Sequence, residues 1–330
     1  MSSVTRILKT NDELAAWDEF VDENATGTIF HKTNWLKLIN AEIEIITIWE
    51  EEKIKAGVAL IKTVKNGVAG FHIPPYTQYF SPLFAKTKDQ KHSLTEEHES
   101  IKLLLEKIKE ARHIDFKLPR GHQSILPYHW MGFESSVGIT HIITGKLENY
   151  LADLNKNKAR ELKKLLAMEN DGEISIEESV TESELLQLLQ HTGERKKFDA
   201  KATLAASLVL NSDNSFAKKY LIRSKQHGLI AFGFFPYDKH AVYNLINASI
   251  RVSDPVLKTI NLLLLYKAIE FALNSGRTFD FEGSMLQGVE AFCRLMGGAQ
   301  APVYRVQKSS SLRYSILRAA NQIKNDRRKT

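Results

Sequence analysis

The stretch that decides the fold reads Phe279-Asp280-Phe281-Glu282-Gly283-Ser284, continues as Gly288-Val289-Glu290-Ala291-Phe292-Cys293-Arg294-Leu295-Met296-Gly297-Gly298, and reaches Tyr304. It follows an apolar helical pattern over residues 258–274 and a strand-like run over 277–281. Gly283 lets the backbone turn sharply after the strand. The same order occurs once before. Ile114-Asp115-Phe116 follows a helical pattern over 97–112, and Met131-Gly132 precedes a strand-like run over 140–143, as Met296-Gly297 precedes one over 303–306. The spacings 280 − 115 and 297 − 132 are both 165 residues. Two matches at one offset, in one helix–strand–helix–strand context, predict two copies of a single fold. Strands alternating with helices predict α/β domains with mixed sheets.

Working outward, the first copy opens with helical patterns over 11–22 and 33–41 and strand patterns over 43–50 and 54–63. Pro74 and Pro75 make residues 71–76 a loop or edge strand rather than a central strand. The second copy has helical patterns over 147–168 and 182–192 and strand patterns over 217–223, 229–235 and 241–246. The organisation expected is a first domain over 1–142, a second over 143–308, and a basic amphipathic tail over 309–330.

The 330 residues are 43% hydrophobic and 25% charged, ordinary values for a folded soluble protein. The net charge of +6 permits an anionic substrate without requiring one. A single cysteine, Cys293, rules out an intramolecular disulfide and paired-cysteine metal sites. The histidines show no metal-ligand spacing, and no metal is expected. Residues 1–22 lack the apolar core of a signal peptide, and no apolar run is long enough to span a bilayer, so a cytoplasmic location is expected.

The segment from Leu262 to Val306 resembles the C-terminal signature of the Fem family of peptidoglycan aminoacyltransferases, within the GNAT acyltransferase superfamily. There a strand ending in Asp-Phe-x-Gly leads into a helix, a Phe-x-x-x-(Phe or Met)-Gly-Gly turn and a last strand with Tyr. Gly27-Thr28-Ile29-Phe30-His31 with Trp35, the run Pro75-Tyr76-Thr77-Gln78-Tyr79-Phe80-Ser81-Pro82-Leu83, and residues 157–164 with Arg160 are similar to the rest of that family. The resemblance implies a tandem duplication of an acetyltransferase (GNAT)-like domain. It implies a cytoplasmic transferase that passes an acyl or aminoacyl group to an amine of a cell-envelope precursor. The donor is then a co-substrate, aminoacyl-tRNA or acyl-CoA, rather than a bound cofactor. A second reading keeps the fold with an acyl-CoA or acyl-carrier donor in polysaccharide or lipid modification, and a third makes it a non-catalytic binding protein.

Acyl transfer needs a base for the amine proton and donors for the tetrahedral oxyanion. Asp280, Glu282 and Ser284 are the catalytic candidates. Asp280 and Ser284 have an equally simple structural reading, holding a strand–helix corner, with Ser284 capping the helix. Tyr76, Gln78 and Tyr79, on the proline-rich loop, are candidate substrate contacts, as are Trp35 and Lys37. Trp35 also reads as core packing, and Lys37 as a phosphate contact or a solvated lysine. Arg160 joins this set by resemblance. Arg195 and Lys196, in Arg195-Lys196-Lys197-Phe198, read as a donor-phosphate clamp or as basic residues favoured by a helix C-terminus.

Acetyl-CoA enzymes grip pyrophosphate with a glycine-rich loop at a helix N-terminus. At that place this chain has Arg251-Val252-Ser253-Asp254-Pro255-Val256-Leu257, with no glycine, and Gln90 to Glu97 in the first copy also lacks the motif. The basic tail, with Leu312, Ile316 and Ile323 at helical spacing, reads as a peripheral contact to an anionic membrane face or to tRNA phosphates, or as a strap on the second domain. No feature points to DNA.

Overall fold

The computed structural model describes residues 4–39, 42–65, 67–85, 90–122, 124–196, 202–283 and 285–311. The chain forms two compact units, Met1–Val137 with Val303–Thr330, and Gly138–Pro302. Among the described residues, no helix is long and apolar enough to cross a membrane.

In the first unit, Thr10 caps helix Asn11–Glu23 through a reciprocal capping box with Glu13, and Trp17, Phe20 and Val21 form its buried face. Strand Glu44–Glu50 is buried continuously from Ile45 to Trp49 and is central in an antiparallel sheet. That sheet runs Val4–Leu8, Glu44–Glu50, Lys53–Leu60, Leu83–Phe84 in order. A second set holds strand Val68–Phe71, paired in parallel with His113–Lys117, which pairs antiparallel with Ala299–Ser309 through Arg305–Ser309. Helix Gln90–Lys107 connects Leu83–Phe84 to His113–Lys117 and buries Ile101, Leu104 and Leu105.

The second unit repeats this plan. Its antiparallel sheet runs Ile174–Glu177, Ala217–Ser224, Gly228–Pro236, Ile246–Ser249. Its parallel pair is Ala241–Tyr243 with Thr278–Asp280, and Thr278–Asp280 pairs antiparallel with the end of Glu134–Ile143. Helix Asn261–Asn274 buries nine side chains, and Leu263, Leu264, Phe235 and Phe279 belong to the same hydrophobic core. His113–Lys117 and Thr278–Asp280 therefore hold equivalent positions, each between a parallel and an antiparallel neighbour.

Several elements depart from the sequence expectation for identifiable reasons. The helix expected over 147–168 is two, Leu147–Asp153 and Lys156–Asn170, because the Asn155 side chain accepts from the Asn157 and Lys158 amides and starts a new helix. The strand expected over 241–246 is also two, divided at Asn244 and Leu245 between different sheets. Residues 303–308, expected in the second domain, lie in the first unit, because Arg305–Ser309 complete its sheet against His113–Lys117. Strand Val4–Leu8 and helix Ala202–Asn211 carry no clear periodicity and were not expected. The tail over 312–330 lies outside the described residues.

Candidate functional site

In each unit the parallel strand pair separates just beyond its last register, and the chain crosses to the antiparallel sheet. In the second unit the crossing takes two residues, Asn244 and Leu245. In the first it is the whole segment 72–82, between Phe71 and Leu83. The proline-rich loop is thus an insertion at the point where the strands part.

Within that insertion, Gln78 is buried, and its Oε1 accepts from Lys117 Nζ at 2.6 Å. Lys117 also lies 5.9 Å from the Tyr79 ring centroid. Trp35 donates from its indole to Thr77 Oγ1 at 3.4 Å and packs edge-on against Phe30, with ring centroids 5.0 Å apart. Phe30 also packs against Tyr79. Trp35 is 0% and Tyr79 1% exposed, so both act as the wall behind the loop and leave no surface for a ligand. Tyr76 is half-buried, with φ +55°, a strained conformation for a bulky residue. Lys37 is exposed near the end of helix Thr33–Ile39. Sequence reasoning missed Lys117, which ends a short buried strand and has no motif of its own.

In the second unit, Asp280 is fully buried at the end of its strand. Its Oδ1 accepts from the Thr140 hydroxyl at 2.5 Å and from the Glu282 amide at 2.9 Å, and its backbone carbonyl accepts from the Asn244 amide. The carboxylate therefore fixes the corner, which is the structural one of its two sequence readings. Glu282 is outside the strand. It is half-buried with φ +61°, and Gly283 follows at φ +67°. A Cβ at Gly283 would lie 2.3 Å from the Ile139 carbonyl oxygen, so only glycine closes this turn. Ser284 lies outside the described residues, and Leu286, without a side-chain cap, is the N-cap of helix Gln287–Leu295. Cys293 is buried in that helix, and burial pushes its thiol up to about 11, which suits a packed residue rather than a nucleophile.

Arg160 is exposed on helix Lys156–Asn170. Arg195 and Lys196 close helix Glu182–Lys196, while Lys197 and Phe198 lie outside the described residues. The loop before helix Asn261–Asn274 is occupied from within. Asp254 Oδ1 accepts from the Val256 amide at 2.7 Å and the Leu257 amide at 2.9 Å. These are amides of the kind that a glycine-rich loop offers to pyrophosphate.

No family model matches the chain, and no curated protein matches it. Solved structures do match in fold. The crystal structure of FemX aligns with a TM-score of 0.68 at 13% identity, covering 91% of this chain and 96% of that one. L-PGS from Bacillus licheniformis aligns with a TM-score of 0.55 at 14% identity, covering 93% and 95%. A tandem GNAT protein from the clavulanic acid biosynthesis pathway aligns with a TM-score of 0.53 at 9% identity, covering 94% and 99%. The fold is a tandem GNAT-like α/β architecture, as the repeated offset and the Fem-like signature implied.

Proposed function

We propose that the chain is an N-acyl- or aminoacyltransferase that moves an activated acyl group directly to an amine. The observation that carries this reading is the tandem fold shared with FemX and L-PGS along nearly the whole length of each chain. In the proposed step the neutral amine nitrogen attacks the carbonyl carbon of an ester or thioester. A C–N bond forms and a tetrahedral oxyanion appears. Its collapse breaks the bond to the leaving oxygen or sulfur, which takes up one proton while the nitrogen gives one up.

Glu282 is the carboxylate we assign to the amine proton, since Asp280 is committed to Thr140 and the turn. Tyr76, Gln78 and Lys117 are assigned to an anionic acceptor such as a cell-envelope precursor, with Trp35 and Tyr79 as their support. Lys37, Arg160, Arg195 and Lys196 are assigned to donor phosphates. Asp254 favours an aminoacyl ester over acyl-CoA as donor, because it fills the amides a CoA pyrophosphate would need. The tail over 312–330 is assigned to an anionic partner, a membrane surface or tRNA.

The test is a thermal-stability screen of the full chain with charged tRNA, acetyl-CoA and a UDP-linked muropeptide, followed by a transfer assay with the labelled amino acid. A ligand at a hundred times its Kd stabilises by about 2.7 kcal/mol. Stabilisation by charged tRNA and muropeptide, with label appearing on the muropeptide amine, is the expected result. Stabilisation by acetyl-CoA alone moves the donor to acyl-CoA, and ligand binding without transfer makes the chain a binding protein.

A further inference from the structure

A cleft of about 1080 Å³ opens in the first unit between helix Asn11–Glu23, the turn joining strands Glu44–Glu50 and Lys53–Leu60, and helix Gln90–Lys107. None of residues 72–82 lines it. Its outer wall carries Glu19, Glu23, Glu50, Glu51, Glu52 and Glu96 against two lysines, Lys53 and Lys55. This acidic surplus stands on a chain whose net charge is +6, so average composition does not produce it. Phe20, Trp49 and Phe84 supply apolar walls.

Two nearly buried polar side chains also line the cleft. Glu97 is 8% exposed and the His122 side chain 2%. Glu97 Oε1 stands 3.5 Å from His122 Nε2, and neither atom has a hydrogen-bond partner among the described residues. The distance suggests an ion pair, but the chemistry argues against one near neutrality. Burial holds the His122 imidazole down at about 4, so it is uncharged there, and pushes the Glu97 carboxyl up to about 7. His122 thus gives an ionised Glu97 no counter-charge, and Lys55 of the same cleft is engaged by Glu50 and Glu96, which leaves a costly state in an interior. A cation entering the cleft would supply that counter-charge.

The form of that cation follows from the layout. Among the described residues no group of three His, Cys, Asp or Glu side chains converges as metal ligands. The carboxylates instead share the cleft with Phe20, Trp49 and Phe84, and the Trp49 ring already carries one cation, the Arg6 guanidinium, 4.7 Å from its centroid. Several separated positive charges joined by an apolar chain match this pattern, and aromatic faces favour ammonium groups.

We propose that this cleft binds a linear polyamine, with one ammonium on Glu97 and the methylene chain along Phe20, Trp49 and Phe84 towards the outer glutamates. The site is separate from the acyl-transfer reading and stands whether or not transfer occurs. The titratable groups that line the cleft with Glu97 are Glu96 on its own helix, His122, Lys53, Lys55 and Glu50 to Glu52 from the hairpin, and Glu19 and Glu23 from the first helix, and the Glu97 charge also acts on Tyr128.

Spermidine titrated calorimetrically into the full chain tests this. The expected result is one saturable site that persists at about 0.15 M salt, with proton release near pH 6.5 as the ammonium ionises Glu97. Buffers of different ionisation enthalpy measure that proton without any substitution. Glu97→Gln should abolish the proton release and weaken binding at least about tenfold. Glu51→Gln, at an exposed position, should weaken it less than threefold by the same measure. Ser100→Leu, which fills the cleft without changing charge, should also lose the site; its melt reports folding. Absence of saturable binding, binding without proton release at pH 6.5, equal losses for Glu97→Gln and Glu51→Gln, or displacement by an equal concentration of magnesium would each overturn the proposal.

Discussion

Thr140 donates its hydroxyl to the buried Asp280 carboxylate at 2.5 Å. The same place in the first unit is held by Arg305 on Asp115, a two-pronged pair with Nε–Oδ1 at 2.7 Å. Asp280 lies opposite Ile142 and Asp115 opposite Gln307, so each aspartate reaches the side chain two residues before its cross-strand neighbour. Both the aspartates, 280 − 115, and their partners, 305 − 140, are 165 residues apart. One device, an acid locking the antiparallel neighbour, recurs with different chemistry, at the strand end for Asp280 and in mid-strand for Asp115.

Both partners of the Thr140 bond are buried, so Thr140→Val should destabilise the protein by about 2 kcal/mol. Thr140→Ser, which keeps the hydroxyl, should recover more than half of that loss. Urea unfolding of the two variants measures it, and equal losses would show that the methyl packing matters rather than the bond.

The turn after Asp280 stores strain. Glu282 and Gly283 both have positive φ, and a left-handed non-glycine residue costs about 1–2 kcal/mol. Glu282→Gly should therefore raise stability by about 1 kcal/mol while removing the carboxylate assigned to the amine proton. A variant that melts higher and transfers more slowly separates the catalytic reading from a structural one. Unchanged transfer would remove Glu282 from the reaction. Gly283→Ala should instead lose stability heavily, because its Cβ would meet the Ile139 carbonyl.

Four buried groups among the described residues contribute to the pH response between about 4 and 7. Burial holds His31 at about 3 and His122 at about 4, while His113, also at about 4, is lowered by burial and then by stacked His72. A lowered histidine pKa means the folded state binds fewer protons, so stability is complete above the usual 6.5 and falls as pH drops towards 4. Glu97, raised to about 7, has the opposite sign and loses stability as pH rises from about 4.5 to 7. Three groups against one predict a fall in Tm below pH 6.5 that Glu97 partly offsets, and a shallow decline between pH 6.5 and about 7. Glu97→Gln should remove that decline and steepen the fall on the acid side. A decline that persists in that variant would place its source elsewhere.

How much of this was legible depends on which residues carry it. The duplication was legible because Asp-Phe and Met-Gly pairs mark strand and helix ends that backbone geometry constrains in both copies. The split at Asn155 was legible in principle, since an Asn between helical patterns is a favoured cap. Gln78 could be nominated from its loop, but its partner Lys117 could not, because the pairing joins residues 39 apart across a sheet. Glu97 and His122 were invisible for a related reason. A glutamate in a charged helical run reads as solvated, and only the packing of Phe84, Tyr128 and the first helix makes it buried.

The last prediction concerns the donor. Asp254 puts one carboxylate oxygen on the two amides that open the turn before helix Asn261–Asn274. A carboxylate there does two things at once. It satisfies N–H groups that would otherwise point outwards, and it places a negative charge where an incoming pyrophosphate would have to sit. Asp254→Ala should cost about 1 kcal/mol of stability as a lost cap. It should also leave the amides open and remove the repulsion. Inorganic pyrophosphate and coenzyme A should then stabilise the variant more than the parent, read as a shift in Tm against ligand concentration. If the parent already binds coenzyme A as well as Asp254→Ala does, the carboxylate is no barrier, and the preference for an aminoacyl ester donor loses its structural support.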